Sequence, residues 1–228
     1  MLTPFSPNVS MDEARHAVHM NRLYRQLFFR DVVHKTNNFG NLKWMGNPIW
    51  QNIFDLWIIQ ETIAEIKPSL LIECGTNQGG SALFYANLFD LMDHGRIVTI
   101  DVQSMHSIKH PRIQFLLGSS TAPEIFEVIQ QEVAKTEGPI MVILDSDHSA
   151  KHVAQEMKLY SPLVTPGSFM LVQDGVADVL EPLMAPPGPL VAIHEFLPHH
   201  PEFEVDHQRC EKFLITHHPL GWLRRKPL

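Results

Sequence analysis

The sequence predicts an α/β fold in which a mostly parallel sheet carries helices on both faces. From residue 70 onward, short apolar runs alternate with helical patterns, which is typical of parallel strands joined by crossover helices. The runs are continuously apolar, as expected for strands covered on both faces. The predicted strands are 70–74, 96–101, 113–117, 140–145 and 168–173, and the helices between them are 81–92, 122–136 and 149–160. A helix over 189–196 and an antiparallel edge hairpin of strands 203–206 and 212–216 follow.

The residues before the first strand predict a helical extension. Residues 12–33 show helical periodicity, and an apolar helix over 49–66 ends at Lys67-Pro68. We assign residues 1–68 to an N-terminal extension that provides oligomer contacts and covers the active site, and residues 69–228 to the cofactor-binding domain. Trp44, Trp50 and Trp57 in this extension are more typical of a core or an oligomer interface than of a cofactor site.

Length and composition limit the possible functions. The chain has 228 residues, a formal net charge of −7 and 44% hydrophobic residues. An acidic surface argues against nonspecific nucleic-acid binding, and no apolar run approaches the roughly 20 residues of a membrane span. The first residues lack the apolar segment of a signal peptide, and two cysteines do not form a disulfide framework. We therefore expect a cytoplasmic protein that binds neither nucleic acid nor membrane.

The stretch 70–81 predicts a nucleotide-cofactor loop. An apolar strand ends at Glu73-Cys74 and opens into a turn that contains Gly75, Gly79 and Gly80. About twenty residues later a second strand ends at Asp101, where α/β nucleotide-binding folds place the carboxylate that holds the ribose hydroxyls. The spacing E-x-G-x-x-x-G-G differs from the G-x-G-x-x-G of dinucleotide sites, which favours S-adenosylmethionine. The alternative is a turn that only connects strand to helix.

The predicted cofactor-binding residues lie in this loop and at neighbouring strand ends. We expect Glu73 near the positively charged methionine end, Asp101 at the ribose, and Ser119 and Asp145 beside the adenine and methionine ends. The full predicted set is Glu73, Gly75, Thr76, Asn77, Gly79, Ser81, Asp101, Ser119 and Asp145.

The segment 145–149 predicts a metal site at the end of a strand. Asp145, Asp147 and His148 lie within a stretch of four residues, and the following strand ends at Gln173-Asp174. Crowded carboxylates repel, and a divalent cation relieves this while taking oxygen ligands. We predict Asp147, Gln173 and Asp174 as ligands of Mg²⁺. The sequence leaves open which of Asp145 and Asp147 holds the metal, because Asp147 could instead cap the following helix. It also leaves open whether Gln173 is a ligand.

His148 is the predicted general base, and Asp147 is predicted to assist catalysis through the metal. A neutral imidazole can take the proton of a hydroxyl at physiological pH. The alternative for His148 is a plain core or capping role. We expect most of the other loop histidines to be solvated, namely His106, His110, His199, His200, His217 and His218.

Seven motifs together resemble the family labelled cephalosporin hydroxylase and rhamnosyl O-methyltransferase. They are WMG at 44–46, DLWIIQE at 55–61, ECGTNQGGS at 73–81, GSST at 118–121, LDSDHS at 144–149, LVTPGS at 163–168 and EKFL at 211–214. The resemblance implies a Rossmann-like methyltransferase fold, S-adenosylmethionine, commonly magnesium, and in some members the methylation of sugar hydroxyls. It places Asp147 and Asp174 on metal-binding positions, followed by His148 as the base. Relatives often read Glu-Asp where this chain has Gln173-Asp174, so this site has one negative charge fewer.

The predicted function is therefore magnesium-assisted, S-adenosylmethionine-dependent O-methylation of a hydroxyl on a small sugar-like or glycoside acceptor. We expect a homo-oligomer, a dimer or larger, with an acceptor pocket formed by residues 35–47, the proline-rich loop 185–189 and the tail. One alternative is an antibiotic-tailoring, cephalosporin-type hydroxylase or methyltransferase component, which for hydroxylation needs an iron site. Another is a non-catalytic cofactor-binding subunit.

Overall fold

The computed structural model describes residues 27–28, 38–179 and 187–227. The chain divides into two compact units, residues 1–39 and 40–228. The predicted helix over 12–33 lies outside the described residues, and the proline-rich loop 185–189 is described from Pro187 onward. The fold below is that of the second unit and of the short helix at its start.

Within the described residues, seven strands form the main sheet and two more form a small hairpin. The hairpin pairs β1 (Lys43–Trp44) with β2 (Asn47–Pro48). The sheet strands are β3 Leu70–Cys74, β4 Arg96–Asp101, β5 Ile113–Leu117, β6 Ile140–Leu144, β7 Phe169–Val172, β8 Phe203–Val205 and β9 Trp222–Arg225. The α-helices are α1 Asn38–Asn41, α2 Ile53–Ile66, α3 Gly80–Met92, α4 Pro123–Ala134, α5 Ala150–Tyr160, α6 Pro189–Phe196 and α7 His207–Glu211. Short 3-10 helices cover Ser161–Leu163, Gly175–Asp178 and Leu197–His199.

The main sheet has the strand order β5-β4-β3-β6-β7-β9-β8. The strands β3 to β7 are parallel, whereas β9 is antiparallel to both β7 and β8. This confirms the predicted α/β class, the mostly parallel sheet and the antiparallel edge. The chain order reverses between β3 and β6, and ligands of open α/β sheets bind beyond the carboxyl ends of the strands at such a reversal.

Two apolar layers cover the two faces of the sheet because successive strand side chains point to opposite sides. On one face, Ile72 and Val142 pack with residues of α4, α5 and α6. On the other face, Leu71 and Met141 pack with residues of α2 and α3. The helix α2, which the sequence placed in the N-terminal extension, therefore packs with the sheet in the unit that begins at residue 40.

The start of α2 differs from the predicted helix over 49–66. Asn52 caps the helix, and its side chain accepts a hydrogen bond from Phe54 N.

Trp50 and Trp57 are 47% and 58% exposed, whereas Trp44 is half-buried and donates to Asn87 Oδ1 at 2.8 Å. Among the described helices, none combines the length and the apolar character that a membrane span requires.

The predicted strand over 212–216 is wrong. These residues form an irregular segment. The strand that pairs with β8 is β9, which begins at Trp222, ten residues after the start of the predicted strand. Leu214 has φ 61°, a left-handed conformation that interrupts an extended strand. Ile215 is buried at 1% exposure. The apolar pattern of this segment therefore reflects a buried loop rather than a strand.

Candidate active site

The glycine loop leaves β3 at the point where the strand order reverses. Gly75 N donates to Ile100 O at 2.8 Å, and Asp145 N donates to Cys74 O at 2.7 Å, so the loops after β3 and β6 lie side by side. Gly75 has φ 105°, and a Cβ at this position would overlap the backbone oxygen of Asp145. Only glycine therefore allows the two loops to approach this closely.

Asp101 lies beside the glycine loop, as predicted from its position at the end of β4. Its Oδ2 accepts a hydrogen bond from Asn77 N at 2.7 Å, and its Oδ1 accepts one from Gln103 N at 3.0 Å. Thr76 O accepts from Gly79 N at 2.8 Å, which closes the turn into α3. Each carboxylate oxygen keeps acceptor capacity beyond one backbone bond. Asp101 can therefore bind hydroxyl groups while it holds the loop.

Glu73 is completely buried under the glycine loop. Thr99 Oγ1 donates to its Oε2 at 2.6 Å, and Thr76 Oγ1 lies 2.6 Å from Thr99 Oγ1. Burial raises the pKa of Glu73 to about 7, although hydrogen bonds from Ser81 and Thr99 act in the opposite direction. The loop thus holds a carboxylate whose charged form needs a nearby cation to be favoured.

Ser119 follows β5, whose last residue Leu117 pairs with Asp101. The Ser119 side chain is half-buried, and its Oγ accepts a hydrogen bond from Thr121 N at 3.3 Å. Leu117 and Val102 are 66% and 65% exposed at this edge. Apolar surface therefore lies beside the ribose-binding position predicted for Asp101.

A second group of polar residues lies where β6 and β7 end. Gln51 Nε2 donates both to Asp145 Oδ2 and to Gln173 Oε1, each at 2.8 Å. With the amide nitrogen and oxygen of Gln173 exchanged, its nitrogen donates to Asp145 Oδ2 at 3.2 Å. In either orientation the Gln173 amide, 1% exposed, lies against the Asp145 carboxylate. Gln51 was not predicted as a site residue, because no motif in the sequence surrounds it.

Possible metal-ligating atoms of Asp145, His148 and Asp174 lie within 4.8 Å of one another. Among the described residues, this is the group of three His, Cys, Asp or Glu side chains that could hold a metal ion. His148 Nε2 lies 3.3 Å from Asp174 Oδ2. Burial raises the pKa of Asp145 well above its ordinary value, and the charges of Asp174 and Glu73 raise it further. The two carboxylates, together with the adjacent amide of Gln173, fit a hard divalent cation.

Asp147, the predicted ligand, is not part of this group among the described residues. It is exposed, and its Oδ1 accepts a hydrogen bond from Ser149 N at 2.8 Å, while Ser149 Oγ accepts from His152 N. The hydrogen bonds to Ser149 lower the pKa of Asp147, which keeps it charged at the surface. Of the two acids that the sequence left open, the structure therefore brings Asp145 to Asp174.

The tail closes the acidic cluster from the opposite side. Asp55 on α2 is completely buried, and its oxygens accept hydrogen bonds from Thr216 Oγ1 at 2.6 Å and from His217 N at 2.8 Å. His217 Nδ1 lies 3.5 Å from Asp174 Oδ1, and His218 Nδ1 accepts from Asp174 N at 3.1 Å. Burial alone would raise the pKa of Asp174, but the hydrogen bond from His217 and the nearby imidazoles lower it below its usual range.

The prediction that His217 and His218 are solvated is wrong, because they are only 7% and 1% exposed. Burial lowers the pKa of His218. Their partners Asp55 and Asp174 lie far away in sequence, so no local pattern indicated these contacts. His199 is exposed, as predicted, whereas His106 stacks on Phe115 with ring centroids 3.8 Å apart.

Comparison with known families adds a direct match over most of the chain. The family described as Rhamnosyl O-methyltransferase/CmcI matches residues 36–226. The chain belongs to this family. The predicted family and the prediction of a methyltransferase are thereby confirmed.

Individual relatives agree with this family assignment. The chain is 37% identical over 220 residues to a rhamnosyl O-methyltransferase of Mycobacterium tuberculosis, which covers 88% of this chain and 89% of the relative. It is 36% identical over 213 residues to a rhamnosyl O-methyltransferase of Mycobacterium leprae, with 89% of each chain covered.

Solved structures show the same fold at lower sequence identity. A ligand-free CmcI structure has a TM-score of 0.66 and 18% identity, and covers 100% of this chain and 89% of CmcI. A CmcI structure described with Mg and SAM (S-adenosylmethionine) has a TM-score of 0.64 and 18% identity, with 99% and 88% covered. These matches confirm the predicted Rossmann-like methyltransferase fold.

Proposed function

We propose that this protein transfers a methyl group from S-adenosylmethionine to a hydroxyl of a sugar-like or glycoside acceptor, with a divalent cation such as Mg²⁺ in the acidic cluster. One observation carries this proposal. Asp145, His148 and Asp174 converge beside the glycine loop at the reversal of the strand order, in a chain of the rhamnosyl O-methyltransferase/CmcI family. The name of the mycobacterial relatives supports a rhamnose-containing acceptor as the first class to test.

The glycine loop offers the groups that S-adenosylmethionine needs. The cofactor carries an electrophilic methyl group on a positively charged sulfur, and the acceptor oxygen takes this methyl group. The buried Glu73 would stabilise the cationic methionine end, which in turn favours the charged form of the carboxylate. Asp101 would hold the ribose hydroxyls, and the close approach of Gly75 to Asp145 brings the glycine loop beside the acidic cluster.

The metal ligands in this proposal are Asp145, Asp174 and the amide oxygen of Gln173. Burial raises the pKa of Asp145 and the charge of Asp174 raises it further, so a cation bound by both acids would relieve their repulsion. Carboxylate and amide oxygens are suited to Mg²⁺. A CmcI structure of the same fold is described with Mg. Asp147, predicted as a ligand and catalytic residue, keeps the surface turn with Ser149 in this proposal.

His148 is the proposed general base. A divalent cation held by the cluster would lower the pKa of the acceptor hydroxyl and orient its oxygen. His148 is partly exposed, with 20% of its side chain accessible, so it can reach an acceptor. It takes the hydroxyl proton on a ring nitrogen, and Asp174 beside it stabilises the resulting imidazolium charge. Gln51 orients Asp145 and Gln173 through its amide.

Methyl transfer from labelled S-adenosylmethionine to a panel of rhamnosides and other glycosides tests this function. We expect label in a glycoside product with Mg²⁺ present and strongly reduced transfer in a chelator. Calorimetry with S-adenosylhomocysteine accompanies the assay. No binding would overturn the cofactor assignment, and binding without transfer to any glycoside would favour the non-catalytic subunit.

The hydroxylase alternative fits the donor set less well. Iron oxygenases use two histidines and one carboxylate, whereas the group found in the described residues has two carboxylates and one histidine. The cytoplasmic location, the homo-oligomeric state and the acceptor pocket stay predictions.

A further inference from the structure

A buried carboxylate lies behind the loops of the active-site edge. Glu156 on α5 is 0% exposed. Its Oε1 accepts hydrogen bonds from Ser120 Oγ at 2.5 Å and from Ser146 Oγ at 2.7 Å. Ser120 belongs to the loop after β5 and Ser146 to the loop after β6, so a single carboxylate oxygen joins two loops.

Two further contacts extend this network. The Tyr160 hydroxyl, one helical turn beyond Glu156, donates to Ser120 O at 2.7 Å. Burial, and next the charge of Glu156, raises the pKa of the Cys74 thiol at the end of β3. His152 Nε2 lies 3.4 Å from Glu156 Oε1 and 3.2 Å from Ser120 Oγ. The hydrogen-bond network therefore joins the ends of β5 and β6.

A carboxylate is a costly residue at this position, which argues for a role beyond filling space. A buried charge is stabilising only when it is well hydrogen-bonded, and an apolar residue of similar volume often gives equal or greater stability. Among the described residues Glu156 Oε2 has no hydrogen-bond partner, which adds to this cost, whereas the bonds to Oε1 hold the two serines in one arrangement. The two serines are Ser120, next to the predicted cofactor residue Ser119, and Ser146, next to Asp145.

We propose that Glu156 is a positioning residue for S-adenosylmethionine, which holds the loops after β5 and β6 in the geometry that receives the nucleoside end of the cofactor. This inference rests on the proposed function. Loops that are ordered before binding do not have to be ordered by the ligand, and this raises affinity. Loss of Glu156 should therefore weaken cofactor binding more than metal binding, because Asp145 is also held by Gln51.

Calorimetry with S-adenosylhomocysteine on the whole protein tests this role. We expect Glu156→Gln to raise the Kd about tenfold, since hydrogen bonds to a charged acceptor are replaced by weaker ones. The KM for S-adenosylmethionine should rise with it, whereas kcat and the Kd for Mn²⁺, followed by electron paramagnetic resonance, should change less than about threefold. Glu132→Gln is the matched control, because Glu132 pairs with Arg96 at the start of β4, away from these loops.

Two smaller changes keep the test decisive if Glu156→Gln does not fold. Ser120→Ala and Tyr160→Phe each remove one hydrogen-bond donor, and we expect each to raise the Kd about threefold. Unchanged Kd values in folded variants, even with a lower Tm, would overturn the positioning role. Failure of the wild-type protein to bind S-adenosylhomocysteine would instead overturn the proposed function, so the two failures are distinguishable.

Discussion

The glycine loop and the acidic cluster lie at the same edge of the sheet, but they are assembled from different distances along the chain. In the glycine loop, Asn77 binds Asp101 and Thr99 binds Glu73, and these partners are 24 and 26 residues apart. In the acidic cluster, Gln51 binds Gln173 across 122 residues, and Asp55 binds His217 across 162. Within one active-site edge, one half is thus formed by adjacent βα units and the other by residues from both ends of the described chain.

This difference indicates how each of the two regions, the glycine loop and the acidic cluster, responds to substitution. The loop depends on backbone conformation and close approach, so a single added atom disturbs it. The cluster depends on several side chains that hold one another, so removal of one partner should weaken it by degrees. Four predictions, each with its own substitutions, test this contrast.

The largest effect is expected from Gly75→Ala. An added Cβ would overlap the backbone of Asp145, and Gly75 has φ 105°, so the loops after β3 and β6 must separate. We expect a loss of about 3 kcal/mol or more in the free energy of unfolding and no measurable binding of S-adenosylhomocysteine. Chemical denaturation and calorimetry provide the measurements.

Gly167→Ala is the matched control for this substitution. Gly167 also has a positive φ, 85°, but an added Cβ there meets nothing within 4 Å. It should cost only the strain of the left-handed conformation, about 1–2 kcal/mol, and leave ligand binding unchanged. Equal effects of the two substitutions would show that backbone strain alone, rather than contact between the loops, controls the site.

A comparison of Asp145→Asn with Asp147→Asn sharpens the assignment of the metal ligand. Because Asp145 lies in the cluster and Asp147 in a surface turn, only the first change removes a ligand of the proposed metal site. We expect Asp145→Asn to lower kcat/KM and Mn²⁺ affinity about 100-fold or more, and Asp147→Asn to change them less than about threefold. The reverse result would restore Asp147 as the ligand that the family resemblance implied.

The parts of this molecule that were predictable are those encoded by local patterns. The strands 70–74, 96–101 and 113–117 are confirmed to the residue because each is an apolar run between polar turns. The glycine loop and Asp101 follow from such runs. The edge strand was misplaced because the apolar segment around Ile215 is buried as a loop.

The missing parts of the site depend on tertiary contacts. Gln51 and Asp55 lie before the first sheet strand, and no spacing rule connects them with the residues that they bind. His217 was among the histidines of predicted loops, most of which were expected to be solvated. The choice between Asp145 and Asp147 depends on how the chain turns after β6. In the sequence both acids follow this strand closely, so the pattern does not distinguish them.

The pH dependence of stability tests the buried acid of the glycine loop. Burial raises the pKa of Glu73 from 4.5 to about 7, so between these pH values the folded protein retains a proton that the unfolded chain has released. The contribution of Glu73 to the stability of the cofactor-free protein should therefore fall by about 3 kcal/mol as the pH rises through this window and then become constant. Glu73→Gln lacks this titration and should be more stable than the wild type at about pH 8.

Denaturant unfolding of both proteins across this pH range measures the difference. The curves should converge below the pKa of the unfolded carboxyl, where Glu73 is protonated in both states. A difference between wild type and variant that stays constant with pH would mean that Glu73 carries no raised pKa. Glutamine should remove the part of the pH dependence of stability that comes from Glu73. It should not disturb Thr99, because its amide oxygen can still accept the hydrogen bond from Thr99 Oγ1.

The smallest effect is expected from Asp55→Asn, which tests the long-range half of the site. Asparagine keeps one acceptor oxygen, so it can bind Thr216 Oγ1 or His217 N but leaves the other buried donor unpaired. We expect a loss of about 1–2 kcal/mol in unfolding free energy and a rise of about tenfold in the Kd for Mn²⁺, as Asp174 loses its fixed imidazole neighbour.

Thr216→Val separates these two consequences of Asp55→Asn. It removes the hydrogen bond to Asp55 and the one that His218 N donates to Thr216 Oγ1, but it leaves the bond from His217 N to Asp55. His217 should therefore stay beside Asp174, and the Kd for Mn²⁺ should stay near that of the wild type. If Asp55→Asn lowers stability but leaves the Kd unchanged as well, the tail supports the fold and not the cluster. The acidic cluster would then depend, like the glycine loop, on the strand ends alone.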